Sequence, residues 1–364
     1  IRTTFSLDYV EQAEYKYTPK AVYESTRYGM NGEAKHNKDG RTNWQWDNTA
    51  SYDTKFNDHS ITGLFGTSMS KTSRTYTYLN TRGFATDDFS YYNIGSGSDL
   101  EQLTMGSDFI TETLVSYLLR FNYNYAQKYY LTATARYDGS SKFAKGHQWG
   151  IFPSFSAAWN VTGESFMEDQ KVFDILKLRV GYGIVGNQNI DNFAYRSLYY
   201  PSIKDNQVAY TSNGRRGTVD ITWEEQKQLN IGVDMAFFNN RLRASIDAFY
   251  IKNDDLLMKR SLPTTSGYRE AFENVGSIEN KGLELSLNGT IIQTQDFQWH
   301  IAGNISADRN KIDKLFGDTD VLYKVSSDQV VEKEGNLFVG QSRNTIYTYK
   351  SGGVAQASDM AYLN

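Results

Sequence analysis

The 364-residue sequence contains no cysteine. Disulfides, thiolate metal sites and a nucleophilic thiol are therefore excluded. Proline is scarce: there are four residues, where an average usage of ~5% would give about 18. Proline removes a ladder hydrogen-bond donor, so its scarcity suits long paired strands. No stretch approaches the ~18 consecutive apolar residues that a transmembrane helix requires. An excess of one charge is missing too, with 38 Lys and Arg against 42 Asp and Glu. The basic residues are scattered, so nucleic-acid binding has no electrostatic support. The four histidines, His36, His59, His147 and His300, are too far apart in sequence to form a zinc-type motif. No cofactor is indicated.

What is present is aromatic and polar. The hydrophobic fraction is 39% and the mean hydropathy is -0.58, which on average describes a water-soluble chain. A membrane-spanning β-strand hides from that test, because only every second residue must face lipid. Aromatic residues make up 15%, with 27 Tyr and 20 Phe but only 6 Trp. This much tyrosine suits either a barrel with interfacial aromatic belts or a carbohydrate-binding β-protein.

Period-2 alternation runs through most of the chain. It begins at once, with Thr3, Phe5, Leu7 and Tyr9 opposing Thr4, Ser6 and Asp8. Because it has no initiator Met and no signal peptide, the chain reads as a fragment entered mid-strand. Tyr117, Leu119, Phe121, Tyr123 and Tyr125 oppose Arg120, Asn122 and Asn124, with Leu118 out of phase. Leu131, Ala133 and Ala135 oppose Thr132, Thr134 and Arg136; Ile231, Val233 and Met235 oppose Asn230 and Asp234. Leu242, Ala244, Ile246 and Ala248 oppose Arg243, Ser245 and Asp247, after which Phe249 and Ile251 break the phase. With strands near Phe5, Trp46 and Phe65, the pattern gives about eleven strong candidates. One face is expected to carry Leu119, Phe121, Tyr123, Leu131, Trp159, Ile231, Val233, Ile246, Leu285 and Ile301 outward, on the convex side. The concave side is expected to carry Arg120, Asn122, Arg136, Asn230, Arg243 and Asn304.

Connections alternate in length. Short turns lie at Asn57-Asp58, Ala126 to Lys128, Phe238 to Asn240 and Gln293 to Asp296. Between them lie long polar segments: Lys71 to Thr113, Gly139 to Gly150, Val185 to Gln226 and Asn253 to Asn280. Thr162 to Ile175 is intermediate and keeps the alternation if placed with the short set. Outer-membrane barrels sort their loops in this way, with short periplasmic turns and longer extracellular loops. Asn57-Asp58, Gln127 and Asn239-Asn240 should therefore share one rim, and Asp87, Ser141, Asn206 and Ser266 the other. The fold class read from the pattern is all-β, an antiparallel transmembrane β-barrel present as an incomplete, open portion. The whole of residues 1–364 is taken as part of that one barrel domain.

Several motifs point to chemistry and lack its context. Gly181-Tyr182-Gly183-Ile184-Val185-Gly186 spells G-x-G-x-x-G, but a dinucleotide site needs a helix to follow, and Asn187-Gln188-Asn189 favours turns. Asp138-Gly139-Ser140-Ser141 reads as a turn rather than a nucleophile with its carboxylate. Gly317-Asp318-Thr319-Asp320 is half a calcium loop without the later ligands. Glu224-Glu225 and Asp254-Asp255 are adjacent on strands, so their side chains diverge. No catalytic constellation survives, and the chain is read as not an enzyme.

The segment from Arg136-Tyr137-Asp138-Gly139-Ser140-Ser141-Lys142-Phe143 to Trp149-Gly150-Ile151-Phe152-Pro153-Ser154 resembles the SusC/RagA group of TonB-linked outer-membrane transporters. So do Leu176-Lys177-Leu178-Arg179, Gly181-Tyr182-Gly183 and Gly186-Asn187-Gln188-Asn189. Leu262-Pro263-Thr264-Thr265-Ser266-Gly267-Tyr268 and Asn274-Val275-Gly276-Ser277-Ile278-Glu279-Asn280-Lys281-Gly282 continue the likeness. It extends to Val339-Gly340-Gln341-Ser342 and on to Lys350, although Arg343-Asn344 replaces the usual small or apolar pair. The resemblance runs from about Leu118 to Tyr349. It implies the outer membrane of Bacteroidetes, import of large nutrients (glycans, sometimes peptides), a SusD-like surface lipoprotein and energy from the TonB complex. It further implies a plug domain, which is not visible in this sequence, and a barrel of about 22 strands.

Within that expectation, Tyr91, Tyr92, Tyr199, Tyr200 and Tyr210 lie in long loops and are candidate substrate contacts, since aromatic rings stack on sugars. The alternative is that they pack within their loops or against the partner lipoprotein. Two other functions stay open: a passive porin, and a secreted carbohydrate-binding β-protein.

Overall fold

The computed structural model describes residues 1–204, 207–317, 320–322 and 336–346. Strands β1 (Arg2–Thr18), β2 (Glu33–Phe56), β3 (His59–Arg82), β4 (Thr104–Tyr125), β5 (Tyr129–Ser140), β6 (Trp149–Asn160) and β7 (Ile175–Asn187) follow one another. A loop hairpin comes next, β8 (Tyr199–Lys204) and β9 (Gln207–Ser212), then the short β10 (Arg215–Arg216). The chain continues through β11 (Glu224–Phe237), β12 (Leu242–Asp254), β13 (Leu257–Ser261), β14 (Glu270–Asn274), β15 (Ser277–Gln293) and β16 (Gln298–Lys314). It closes on β17 (Val321–Leu322) and β18 (Leu337–Phe338).

Eleven of these strands make one sheet in the order β1-β2-β3-β4-β5-β6-β7-β11-β12-β15-β16. Every neighbouring pair in it is antiparallel. Among the described residues nothing pairs β1 with β16, so the sheet has two edges. This is the strand count the alternation predicted.

Register fixes the faces, because directly opposed residues point to the same side. Gly63 faces Phe121, and Phe121 faces Ala133; Leu131 faces Ala157, and Ala157 faces Val180. The row continues from Val180 to Ile231, Ala248, Leu283 and Ala307. All ten predicted apolar positions fall on this face and all six predicted polar positions on the other. Leu118 and Phe249, which broke the alternation, stand on the polar face where a neighbour has no side chain. Leu118 lies across from Gly66 and Phe249 across from Gly282.

The short connections form one rim. Ala126 N–H donates to Asp58 O at 2.8 Å, Asn160 N–H to Lys128 O at 2.7 Å, and Thr290 N–H to Arg241 O at 2.7 Å. Asn240 N–H reaches Asp174 Oδ2 at 2.8 Å, which places the intermediate connection here as well. These turns use left-handed backbone: Asn57, Ala126, Gln127, Phe238, Asn239 and Asn240 all have positive φ. Asp87, Ser141 and Ser266 lie in connections at the opposite end of the strands; Asn206 lies outside the described residues.

Three expectations need correction. Lys71 to Thr113 is not one long loop, since β3 runs to Arg82 and β4 starts at Thr104. Its Thr, Ser and Tyr residues continue the ladder as polar strand beyond the apolar band. Val185 to Gln226 likewise contains strand at both ends and the β8–β9 hairpin. Asp138-Gly139 is not a turn but lies inside β5. A Cβ on Gly139 would lie 2.8 Å from the ring of Trp149, so glycine here makes room for an aromatic across the ladder.

Candidate functional site

Two aromatic belts bound the apolar face. Along the short-turn rim, Phe56 stacks on His59 at 4.8 Å and Tyr125 on Tyr129 at 6.2 Å. Tyr129 stacks on Trp159 at 6.5 Å and 7°. Glu164 fastens this belt, accepting from Tyr129 Oη at 2.6 Å, Trp159 Nε1 at 3.0 Å and Lys128 Nζ at 3.2 Å. Those donors hold the Glu164 carboxyl below its ordinary value, the Tyr129 hydroxyl contributing most. Toward the other rim, Trp149 stacks on Tyr137 at 4.7 Å and on Tyr117 at 6.2 Å. From Tyr129 to Tyr137 the strand covers about 27 Å. A strand tilt of ~40° reduces this to about 20 Å, close to the apolar band of an outer-membrane barrel. Between the belts the side chains are bare: Leu119 is 60% and Ile231 52% exposed.

The other face is polar and cross-linked. Arg179 donates to Asp234 through Nε and Nη2, both at 2.8 Å, and lies 2.9 Å from Asp247. Ser245 Oγ bridges the same two carboxylates at 2.9 Å each. Arg136 donates to Asp138 at 2.8 Å and to Ser116 Oγ at 2.9 Å, which uses up the carboxylate of the Asp138-Gly139-Ser140-Ser141 run.

At the long-loop end this face meets a packed loop base. Phe143, Phe152, Ile190, Ala194, Ile221, Trp223 and Phe272 form a buried cluster drawn from three connections and β6. Trp223 packs 5.2 Å from Phe143 and 5.3 Å from Phe152, and its Nε1 donates to Gln148 O at 3.0 Å. Arg215 ties the loops above it, 2.8 Å from Asp191 and 3.1 Å from Glu270, with its guanidinium over the Phe272 ring. The G-x-G-x-x-G run lies in β7 with no helix after it. Its last glycine serves this cluster, as the missing Gly186 side chain leaves space for Phe152.

Beside the cluster is a chamber of about 490 Å³. Asn187, Asn189, Asn253, Asn280 and Asn310 line it with Glu224 and Arg343, over aliphatic residues that include Leu257, Met258 and Ile312. Glu224 is buried and accepts from Asn187 Nδ2 at 3.2 Å and Leu257 N at 3.0 Å. Carboxamides both donate and accept, so this lining suits neutral polar groups such as hydroxyls and amides. Glu225 points the opposite way, toward Lys227 at 3.3 Å. Among the described residues no group of three or more His, Asp and Glu converges as a metal site. Asp318 and Thr319 lie outside the described residues.

The five loop tyrosines divide into two groups. Tyr91 is committed to packing, stacked on Tyr15 at 5.7 Å and touching Tyr92 at 4.4 Å. Tyr92 is 81% exposed. Tyr199, Tyr200 and Tyr210 lie on the β8–β9 hairpin, where register puts Tyr199 and Tyr210 on one side and Tyr200 on the other. Tyr199 Oη pairs with Tyr268 Oη at 3.0 Å, which raises the Tyr199 pKa. None of the five lines the chamber. Sequence reading missed the chamber and the loop base, although Phe143, Phe152, Gly186, Asn187, Asn189 and Asn280 all lie within the motif runs quoted above.

The sequence profile described as TonB dependent receptor-like, beta-barrel matches residues 2–352. The chain belongs to that family. The TonB-dependent receptor barrel accounts for the two faces: the belted apolar face meets the lipid of the outer membrane, and the polar face lines the lumen. The chain is 34% identical over 363 residues to TonB-dependent receptor P3 of Formosa agariphila, covering 98% of this chain and 36% of the relative. It is 38% identical over 251 residues to TonB-dependent receptor SusC of Bacteroides thetaiotaomicron, covering 65% of this chain and 25% of the relative. A solved structure of the RagAB peptide importer in its closed-closed state superposes with a TM-score of 0.82 at 25% identity, over 94% of this chain and 37% of that one. The chain thus spans about a third of the length of the curated relatives it matches.

Proposed function

We propose that the protein to which this barrel segment belongs imports large nutrients, glycans or oligopeptides, across the outer membrane. Energy would come from the TonB complex, and a SusD-like lipoprotein would sit on the long-loop rim. The family match over residues 2–352 carries this reading. The plug and the TonB-contacting segment are assigned to the rest of the receptor. In this reading the barrel is not an enzyme, and its residues bind and guide rather than react. The chamber at Asn187, Asn253, Asn280 and Asn310 holds polar groups of the substrate. Tyr92, Tyr199, Tyr200 and Tyr210 offer rings to substrate or lipoprotein, while Tyr91 organises the loop beneath Tyr92.

Uptake by cells carrying the full receptor tests the proposal. Import that stops when the proton gradient is collapsed supports it. Import that continues down a concentration gradient would make the protein a passive porin instead. Replacing Asn253 and Asn280 together by Leu should raise the half-saturating nutrient concentration about tenfold, since two polar contacts of about 0.5–1.5 kcal/mol each are lost.

A further inference from the structure

The lipid-facing side changes character abruptly on β12, β15 and β16. Two successive rungs are apolar, Ile246–Leu285–Ile305 and Ala248–Leu283–Ala307. The next rung is Tyr250–Lys281–Arg309, and the one above it Lys252–Glu279–Lys311. The two rungs carry four cations, two of which, Lys252 and Lys311, are already held by the carboxylates Asp254, Glu279 and Asp313. Tyr250 Oη donates to Glu279 at 3.2 Å, and Lys311 lies 3.9 Å away. Lys252 is occupied by Asp254 at 3.1 Å.

Lys281 and Arg309 stand directly opposite each other across the ladder, and both are exposed. Neither has an ion pair or a side-chain hydrogen bond among the described residues. Like charges directly opposed destabilise a sheet pair. Lipid-facing Lys and Arg are tolerated near the interface and penalised toward the midplane. Both are relieved by one anion held between the two side chains. Tyr250 sits where the upper aromatic belt belongs, and the long-loop end of the strands faces the outer leaflet. Directly below, Leu283 is 60% and Ile305 68% exposed, an apolar wall that acyl chains can cover.

We infer that Lys281 and Arg309 bind the phosphate head group of an outer-leaflet lipid whose acyl chains lie along Leu283, Leu285 and Ile305. A free anion would gain nothing from that wall, so the occupant is an amphiphile. The inference rests on the outer-membrane placement and is independent of which nutrient is imported.

The test uses the full receptor, purified in detergent and stripped of lipid. Its probes are phosphorylated lipid A, the same lipid A with its phosphates removed, and inorganic phosphate, with bound probe counted by native mass spectrometry. Wild type should hold the phosphorylated lipid, and Lys281→Gln with Arg309→Gln should weaken it about thirtyfold, two surface cations being lost. Dephosphorylated lipid A should bind wild type no better than the phosphorylated lipid binds the double variant. Equal affinity for the two lipids overturns the proposal, and so does inorganic phosphate binding as tightly as the lipid. Unchanged affinity in the double variant also overturns it and assigns Arg309 to a neighbouring protein segment. Heat-modifiable migration on gels reports whether each variant is folded. Glu279→Gln keeps every cation and removes the carboxylate on the adjoining rung, so it should bind the lipid about fivefold more tightly; weaker binding by this variant would count against the site.

Discussion

Gly186 carries no side chain where the ring of Phe152 passes: a Cβ there would lie 2.1 Å from Phe152 Cζ. That distance is far inside van der Waals contact, and Phe152 is buried against Trp223 and cannot swing away. Gly186→Ala should therefore force the ring out of the loop base. Overpacking of this kind costs about 1–3 kcal/mol. Hydrogen exchange on the full receptor should show faster exchange in residues 188–223 and unchanged exchange in β4 and β5. Equal protection in both proteins would mean that Gly186 is not a packing position.

The midpoint of the lipid band offers a second test. Val233 lies between the two belts, directly opposite Leu178 on β7 and Ile246 on β12. An arginine at the centre of a lipid-facing strand costs about 2–4 kcal/mol. Val233→Arg should lower the unfolding free energy, read from urea titration in vesicles, by that amount, whereas Asn230→Arg, on the lumen face, should lower it much less. Equal effects at both positions would contradict the assignment of faces.

Alternation made the strands legible because lipid and lumen impose opposite demands on adjacent residues. Register followed from it, since a slip of one residue would turn Leu131, Val180 and Ile231 into the lumen. Strand ends were less legible. Beyond the belts neither face needs to be apolar, so the upper parts of β3 and β4 read as loop although they are paired. The loop base was hidden for a different reason. Phe143, Trp223 and Phe272 are scattered along the chain and share no period, and only the fold brings them together. The motif runs pointed to those places without revealing that packing was their purpose. The tyrosines illustrate the limit: Tyr91 and Tyr92 are adjacent and chemically identical, yet one is built into a stack and the other stands in solvent.

Tyr17 gives a prediction at alkaline pH. It lies at the long-loop end of β1, beyond the lipid band, and its hydroxyl donates to Asp87 at 2.7 Å. Burial, and then the bond to Asp87, push its pKa up to about 12 from 10.0. A group whose folded pKa is raised contributes stability that is intact below the unfolded value and is lost as pH rises through the folded one. The contact between β1 and the β3–β4 connection should hold up to about pH 10 and weaken between 10.0 and about 12. Absorbance at the phenolate band, compared between wild type and Tyr17→Phe, should show one tyrosine ionising late. If the two titration curves coincide, the hydroxyl is not held as described.

Glu164 gives the matching prediction at acid pH. It sits in the turn between β6 and β7, outside the apolar band, with a side chain 14% exposed. Its pKa is lowered from 4.5 because Tyr129, Trp159 and Lys128 all donate to it, Tyr129 most strongly. A depressed carboxylate contributes stability that is present above the unfolded value and is lost as pH falls through the folded one. The belt clamp should therefore be intact above about pH 4.5 and should loosen below it. Protonation removes acceptor capacity, so the Trp159 indole N–H loses a charged partner and its surroundings change. Trp159 emission, isolated by replacing the other tryptophans with Phe, should shift in that acid range. Glu164→Gln keeps the size and one acceptor oxygen while abolishing the titration. Its emission should already resemble the acid form at neutral pH and should stay flat as pH falls. A Gln variant that still titrates like wild type would place the transition on another group and remove Glu164 from the belt.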